Sequence, residues 1–378
     1  MTIGTITNTV HSASVVSLED ASKIDGSRGP LVFDQMDKLV SILIVNYNGR
    51  NLLSECLPSV LATAHAKFEI ILVDNGSRDG SMEFVQKKFG HSNQIKIVQL
   101  SSNIGVTKAF NAGVEKCRGD FIVSLNNDTV VEPNWLEELI SVLSSNVDVG
   151  AAQCKLLSYD DRNLIDSMGC QLDFCGHAFE KGYRQPDVNK DERPIEIFSA
   201  GMPASIYRRD VLDKVGPMDP EFFAGYEDAD LCWRIRLHGY RILTVPTSIV
   251  YHKRSSTSGS PSPLRIYVSW NFSKNWIAML LKNYSISSLV KISHRVIFGA
   301  TLSCFGYLFF GRREMRLTGL KALIWNFQHL KDLMIKRGIV QNRVRTVSDN
   351  DIRRSMKSGC LLLQNYHSYR NLLAGQRL

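Results

Sequence analysis

The sequence predicts an α/β fold in which a parallel sheet carries helices on both faces and a mainly helical, basic region follows it. Three observations predict this. Apolar runs of strand length alternate with segments of helical spacing between residues 39 and 143, joined by short connections. Each of these runs ends in a cluster of Asn, Asp or Gly. Beyond Pro263 the strand pattern stops and the charge turns positive.

Residues 39–45 are almost continuously apolar, as suits a strand buried on both faces. Asn46, Tyr47, Asn48 and Gly49 then form a turn, and Leu52, Leu53, Cys56, Leu57, Val60 and Leu61 follow at helical spacing. Residues 68–73 give a second strand, closed by Asp74, Asn75, Gly76 and Ser77, with a helix at 81–89. The third strand spans 95–100, and Asn103, Ile104 and Gly105 open a helix to about Cys117. The fourth spans 121–125, with Asn126, Asn127 and Asp128 directly after it, and Glu132, Pro133 and Asn134 begin a helix to about Leu143. Residues 150–157 and 169–174 are strand-like pieces among polar loops, with a surface loop at 187–194. The small residues of 198–207 let a substrate approach the backbone, and a short helix at 208–215 stops at Gly216 and Pro217.

Residues 225–240 read as one helix from start to stop. Acidic Glu227, Asp228 and Asp230 crowd its front, basic Arg234 and Arg236 its back, and Gly239 ends it, all in keeping with the helix macrodipole. Asp230 and Arg234 pair at i,i+4 on its surface. A strand at 241–245 is closed by Pro246, and Ile249 to His252 precede a Ser/Gly-rich loop at 255–262. In the helical region, residues 296–310 carry no charge and lie between basic flanks. That is short of the roughly 20 apolar residues of a membrane span and suits a buried or interfacial helix.

With 44% hydrophobic and 22% charged residues, the 378-residue chain is globular. Three parts are expected: a polar N-terminal extension at 1–38, an α/β domain at 39–262, and a basic helical region at 263–378. Residues 1–38 lack the apolar core of a signal peptide. Eight cysteines without a CxxC pair point to reduced thiols in a cytosolic protein and away from structural zinc. From Lys253 onward there are 21 Lys and Arg against 4 Asp and Glu, a net +17; the first 252 residues hold 24 against 33, a net −9. The basic tail suits anionic lipid, a phosphorylated substrate or a solvated helical surface; no nucleic-acid recognition motif accompanies it.

Polar clusters at the ends of four successive strands (Asn46 with Asn48, Asp74, Asn103, and Asp128) argue for one shared site, because α/β sheets bind ligands at their carboxyl edge. No GxGxxG and no GxxxxGK[ST] follows a strand, which disfavours a dinucleotide site and excludes a P-loop. Asp74 is suited to accept hydrogen bonds from a base or ribose. Asp128 is suited to a hard divalent cation that neutralises two phosphates, or to a plain turn. Glu227 and Asp228, after an aromatic and glycine-rich loop, are either a structural first turn or the place of a catalytic base. His252 is either a structural histidine or a ligand.

In this order and spacing the segments 45–48, 73–77, 103–105, 126–129 and 225–231, with His252, resemble the inverting, nucleotide-sugar-dependent glycosyltransferases of family 2. The similarity covers about residues 40–345, and the bacterial rhamnosyltransferase-like branch, which builds surface polysaccharides, is the most similar. The resemblance implies a GT-A fold. It places Asn46, Asn48, Asp74, Asn103, Gly105, Lys108, Asn126 and Asn127 at the nucleotide sugar, and Asp128 and His252 on Mg²⁺ or Mn²⁺. It makes Asp228, with Glu227 beside it, the base that takes a proton from the acceptor hydroxyl. It also implies a saccharide or polyprenyl-diphosphate-linked acceptor and a peripheral place at the cytoplasmic membrane face. The chain departs from the family at Asn126, which leaves one carboxylate in the DxD-type motif. Phe110 stands where an arginine often precedes the position of Asn111, with Lys108 nearby, and Lys274 and Asn275 stand where the branch often has Arg-Asn.

Two other classes compete. A nucleotidyltransferase would need a basic, glycine-rich loop after the first strand, and Asn46 to Gly49 lack that character. A non-catalytic glycan-binding module would not need Glu227, Asp228 and Asp128 together.

Overall fold

A computed structural model of the chain describes residues 38–65, 67–188, 192–254, 262–309 and 318–358, without the side chains of 262–269, 298–309 and 318. The expected leader at 1–37 and the Ser/Gly loop at 255–261 lie outside these residues.

The first half alternates as its periodicity dictates: β1 (Val40–Asn46), α1 (Arg50–Leu61), β2 (Phe68–Asp74), α2 (Ser81–Phe89), β3 (Ile95–Gln99), α3 (Val106–Val114), β4 (Phe121–Asn126), β5 (Thr129–Val131) and α4 (Trp135–Ser145). There follow β6 (Val149–Ser158), β7 (Ile165–Ser167), β8 (Cys170–Leu172), β9 (Ala178–Glu180), β10 (Ile195–Glu196), β11 (Ala204–Arg208), α5 (Arg209–Val215), α6 (Glu227–Leu237) and β12 (Arg241–His252). The helical region comprises α7 (Ser262–Asn283), α8 (Ile286–Phe309), α9 (Thr318–Gln328), α10 (Leu330–Ile339), a π turn at Val340–Val344, and α11 (Asp349–Arg354).

The main sheet runs β10-β12-β6-β11-β4-β1-β2-β3. β1 to β4 pair in parallel, with Asn46 beside Asp74 and Val45 beside Asn126, so their polar ends fall on one edge. Alternation sends Ile42, Ile44, Ile70 and Leu72 into a core under α1, α2 and α4. Leu43, Ile71 and Val73 enter a second core under α3, α5 and α6, so helices cover both faces.

The sheet is mixed where an all-parallel one was expected. β11 lies antiparallel between β4 and β6. Its Ala204, Ser205, Ile206 and Tyr207 are buried, so the small residues of this segment build sheet as well as cavity wall. The strand from Arg241 does not stop at Pro246. A bulge between Val245 and Ile249 takes the proline out of register, and β12 continues to His252. The helices opened by Asn103 and Glu132 start later than expected, at Val106 and Trp135. Gly105 sits at φ 89°, outside helical geometry.

The largest correction concerns α6. It is no surface helix: Ala229 to Leu237 are all buried, between the sheet on one side and α7, α10 and α11 on the other. Its charges are therefore paired internally, as buried charges must be. Asp230 is fully buried and bonds Arg234, Lys282 and Asn283. Arg236 bonds the Phe198 carbonyl and Glu196.

Cys56, Cys117, Cys154, Cys170, Cys175 and Cys232 are free thiols. The uncharged stretch 296–310 falls mostly in α8, and its side chains beyond Ile297 lie outside the described residues. Among the described residues no helix is long and apolar enough to cross a membrane.

Candidate active site

The strand-end residues form a connected net at the carboxyl edge. The amide of buried Asn46 donates to Asp74 Oδ1 (3.3 Å) and Ser77 Oγ (3.1 Å), and its oxygen accepts from Asn127 (2.7 Å). Asp74 Oδ2 accepts from the Ser77 amide at 3.1 Å, closing the turn after β2. Asn48 holds φ 51°, and its backbone N–H donates to Ser77 Oγ while its side chain accepts from the Arg78 amide. A second knot links Asn75 and Asn103 (3.1 Å), whose oxygens accept from the Ile104 and Gly105 amides. Two glycines let these turns close. A Cβ on Gly49 would fall 2.2 Å from Asn127 Nδ2, and one on Gly105 2.6 Å from the Phe223 ring. Lys108 stands apart from this net, exposed on α3.

Asp128 and His252 come together where β5 meets the end of β12, with His252 opposite Thr129 in register. His252 Nε2 is 3.3 Å from Asp128 Oδ1, and Nδ1 is 2.8 Å from Asp166 Oδ2. All three side chains are buried. Burial opposes charge on the imidazole, but hydrogen bonds to Asp128 and Asp166 and their negative charge outweigh it and raise His252 to about 9. The ring of His252 thus sits between two carboxylates, and Nε2 must give up its proton before it can bind a cation. One carboxylate oxygen and one imidazole nitrogen, with a carboxylate on the far nitrogen, is a donor set that fits a divalent cation. Among the described residues no group of three or more His, Cys, Asp or Glu is placed to hold a metal. Asp166 then continues to Arg254 (2.8 Å), which also pairs with Glu180.

Asp228 and Glu227 open α6 behind a tight lead-in. Gly225 has φ 88° and Tyr226 φ 64°, a left-handed residue with a large side chain, which is a strained arrangement. This lead-in is gripped from the helical region: Lys274 Nζ donates to the Glu221 carbonyl and Asn275 Nδ2 to the Gly225 carbonyl, both at 2.6 Å. Asn111 of α3 holds Met218 at both its N–H and its carbonyl. Burial pushes the carboxyls of both Asp228 and Glu227 up, and the charge of Asp228 adds to the rise on Glu227. Burial thus outweighs the helix N-terminus, which by itself favours the ionised form. Asp230 does not contribute, because Lys282 and Arg234 neutralise it.

A cavity of about 300 Å³ opens beside the carboxylates of α6; Asp166 reaches it, whereas Asp128, His252 and the residues of the strand-end net are not in its lining. Asn126, Gly201 and Met202 line it from the sheet, Asp228 and Glu227 from α6, and Asp166, Glu180 and Arg254 from the far wall. Gly201 keeps its side near Asp228 open: a Cβ there would stand 3.8 Å from Asp228 Oδ2. A larger open groove, about 890 Å³, lies between the β8–β9 hairpin and α11 and shares only Glu180 with the cavity. In the hairpin register Cys170 faces Glu180, and both line the smaller cavity; Gln171 faces Phe179, and both line the groove.

Sequence reading missed Asp166, Arg254, Glu180 and Gln153. Asp166 sits in a three-residue strand, and only its pairing with β6 brings it to His252. Two basic residues directly after His252 were the single available signal for Arg254.

Residues 41–216 match the family described as Glycosyl transferase family 2. An uncharacterized glycosyltransferase of Nostoc sp. is 28% identical over 57% of this chain and 64% of its own length. The O-antigen biosynthesis protein RfbC of Myxococcus xanthus is 26% identical over 63% of this chain and 19% of its own. The undecaprenyl-phosphate 4-deoxy-4-formamido-L-arabinose transferase of Pseudomonas savastanoi pv. phaseolicola is 37% identical over 30% of this chain and 34% of its own. The chain thus spans less than two thirds of the length of each of these curated relatives. Among solved structures, TarS 1–349 of S. aureus in complex with UDP-GlcNAc has a TM-score of 0.54 at 18% identity, covering 88% of this chain and 92% of that one. The mannosyltransferase PcManGT of Pyrobaculum calidifontis, in complex with GDP-Man and Mn²⁺, has a TM-score of 0.50 at 14% identity, covering 89% and 84%. Residues 41–216, just under half of the chain, are thus similar to glycosyl transferase family 2, and the chain has a GT-A fold, with the strand-end net, the Asp128–His252 pair and the carboxylates of α6 as its candidate site.

Proposed function

We propose that the protein moves a sugar, with inversion, from a nucleoside-diphosphate donor to a saccharide or lipid-linked saccharide acceptor in cell-surface polysaccharide synthesis. One observation carries this reading: Asp228 and Asn126 line one cavity at the carboxyl edge of the sheet. The donor's nucleotide belongs on the net of Asn46, Asn48, Asp74, Asn103, Gly105 and Asn127, with Lys108 free to reach a phosphate. Asp128 and His252 would hold Mg²⁺ or Mn²⁺. Such a cation supplies charge neutralisation for the departing diphosphate.

Asp228 accepts the proton of the acceptor hydroxyl while that oxygen bonds to the anomeric carbon. The bond from this carbon to the diphosphate oxygen breaks in the same displacement, and the diphosphate leaves with the electron pair. Attack from the opposite face inverts the configuration. A carboxyl raised by burial is a stronger base than an ordinary one and stays ionised at neutral pH if its neighbour Glu227 keeps the shared proton. The groove behind the hairpin gives a longer saccharide room beyond the reacting unit.

The M. xanthus relative supports polysaccharide synthesis and the P. savastanoi relative a lipid-linked partner; rhamnose is the donor sugar suggested by the branch resemblance. The titled complexes of the solved neighbours support a nucleotide sugar and Mn²⁺. The catalytic unit is residues 39–262, and the basic region 263–378 holds the enzyme peripherally at the cytoplasmic membrane face. A panel of nucleotide sugars, with and without Mn²⁺, assayed for release of nucleoside diphosphate and for the anomeric configuration of the product, tests this reading. One donor is expected to turn over with inversion. Turnover of Asp228→Asn near the wild-type rate refutes the assigned base.

A further inference from the structure

We propose that the outward face of α9 and α10 is a docking surface for an anionic lipid bilayer. This deepens the membrane-apposed reading above and rests on it. The two helices follow one another across a break at His329 (φ −100°, ψ 16°), where His329 N–H donates to the Trp325 carbonyl and Leu333 N–H to the His329 carbonyl. Their inward side is partly polar. Buried Asn326 donates to the Lys274 carbonyl, and Lys336 reaches Asp219 beside Leu333. Their outward side is apolar: Leu320, Ile324, Phe327, Ile335 and Ile339 are all exposed, Phe327 at 78% and Ile335 at 58%.

This inverts the usual arrangement, in which a helix on a soluble protein buries its apolar stripe and shows its polar one. A contiguous exposed stripe of this kind marks an interaction surface. The charge around it selects the partner. On the two helices Lys321 and Lys331 are exposed, with Asp332 the exposed acid. In sequence, residues 262–345 hold 14 Lys and Arg against 2 Asp and Glu, though some of these cations, such as Lys274 and Lys282, are buried. A second copy would bring the same positive charge to the same face. An anionic bilayer offers both complements, acyl chains for the stripe and headgroups for the lysines.

Flotation of the full chain with phosphatidylcholine vesicles, and with vesicles containing phosphatidylglycerol as well, tests the surface. Wild type is expected to float with the anionic vesicles and to lose binding in high salt. The double variant Phe327→Glu, Ile335→Glu should bind about tenfold or more weakly, the scale set by transfer of large apolar side chains. A second measurement does not depend on a disruptive variant. Phe327→Trp should gain fluorescence quenching by brominated acyl chains over the wild-type background. No flotation of wild type, equal flotation of the double variant, or no added quenching overturns the proposal. So does a wild-type dimer in light scattering that the double variant makes monomeric, since a second copy would then cover the face. Release of nucleoside diphosphate from a soluble donor reports the transfer reading separately. Its persistence in the double variant ties the loss to docking, and its absence from wild type counts against transfer while flotation still decides the surface.

Discussion

At the scale of single residues, two carboxylates carry the sharpest expectations. Asp228 and Glu227 are raised by burial, so the folded state resists their ionisation. The sign follows: between the unfolded carboxyl pKa of about 4 and the higher folded value, the folded state binds more protons, and stability falls as pH rises. Replacing Asp228 by Asn removes that cost. The variant should lose transfer by at least about 10³-fold, as loss of a general base does, yet melt at a higher temperature than wild type at pH 8, by on the order of 1 kcal/mol. The gain should vanish below about pH 4, where both states are protonated. A variant that is inactive and also less stable at pH 8 would mark Asp228 as structural. A further carboxylate is Asp166, which lies outside the Asn46–Asp74 net but fixes the ring of His252 at 2.8 Å. Asp166→Asn should weaken Mn²⁺ binding by about 10- to 100-fold, as loss of a supporting ligand partner does. Titration of free Mn²⁺ by electron paramagnetic resonance, with a nucleoside diphosphate present, reads this without turnover; unchanged affinity would leave Asp166 a mere ion-pair partner.

At the scale of elements, the sequence was legible where one period and one kind of partner decide the structure. β1, β2 and β4 announce themselves as apolar runs because both faces are covered, and their Asn and Asp ends mark the binding edge. Elements whose existence depends on distant pairing were not legible. β7 is three residues long and β11 reads as a small-residue loop, yet both are strands because β6 lies beside them. β12 passes Pro246 through a bulge that no local rule announces. α6 shows the same limit, since its charges suggested solvent and the buried partners come from helices more than 50 residues away, such as Lys282 and Asn283. Its lead-in is the element whose geometry most directly sets the place of Asp228. Gly225 at φ 88° would put a Cβ 2.7 Å from the Phe272 ring. Gly225→Ala should therefore shift the lead-in and lower kcat by about tenfold or more, since small misplacements of a reacting group are costly. The donor KM should stay near wild type, because the net proposed for the nucleotide is held by its own hydrogen bonds in the turns after β1, β2 and β4. Steady-state kinetics with donor varied at saturating acceptor separates the two, and a rise confined to donor KM would contradict this division.

At the scale of the whole molecule, the catalytic sheet and the basic helices are joined by a buried charge network. Lys282 bridges Asp219 (2.6 Å) and Asp230 (3.0 Å), and Lys336 adds to Asp219, while Arg234 and Asn283 complete Asp230. The individual residues are plain in the sequence, but their convergence joins α6, α7, α10 and the loop after α5, and no spacing rule connects these. The network ties the helical region to α6 and the loop after α5, so cutting one link should be felt globally. Burial alone would raise Asp219, but the charges and hydrogen bonds of Lys282 and Lys336 outweigh it and hold the carboxyl far below the usual range. A depressed folded pKa contributes stability that is fully present above the unfolded value of about 4 and is lost as pH falls through the folded one. Lys282→Met takes one cation from each of two buried carboxylates, leaving Asp219 with Lys336 and Asp230 with Arg234 and Asn283, which at pH 7 should cost about 3–5 kcal/mol. Acidification should then narrow the gap from both sides. Wild type begins to lose the network's contribution below the unfolded value of about 4, while the variant takes up protons at higher pH, which burial with fewer cations makes easy. Melting temperatures followed by circular dichroism from pH 8 to pH 3 should therefore differ most at neutral pH and converge in acid. A gap that stays constant across this range would mean that Lys282 contributes packing alone, and that the helices are held to the catalytic core by their apolar contacts with Trp233 and Leu237 of α6.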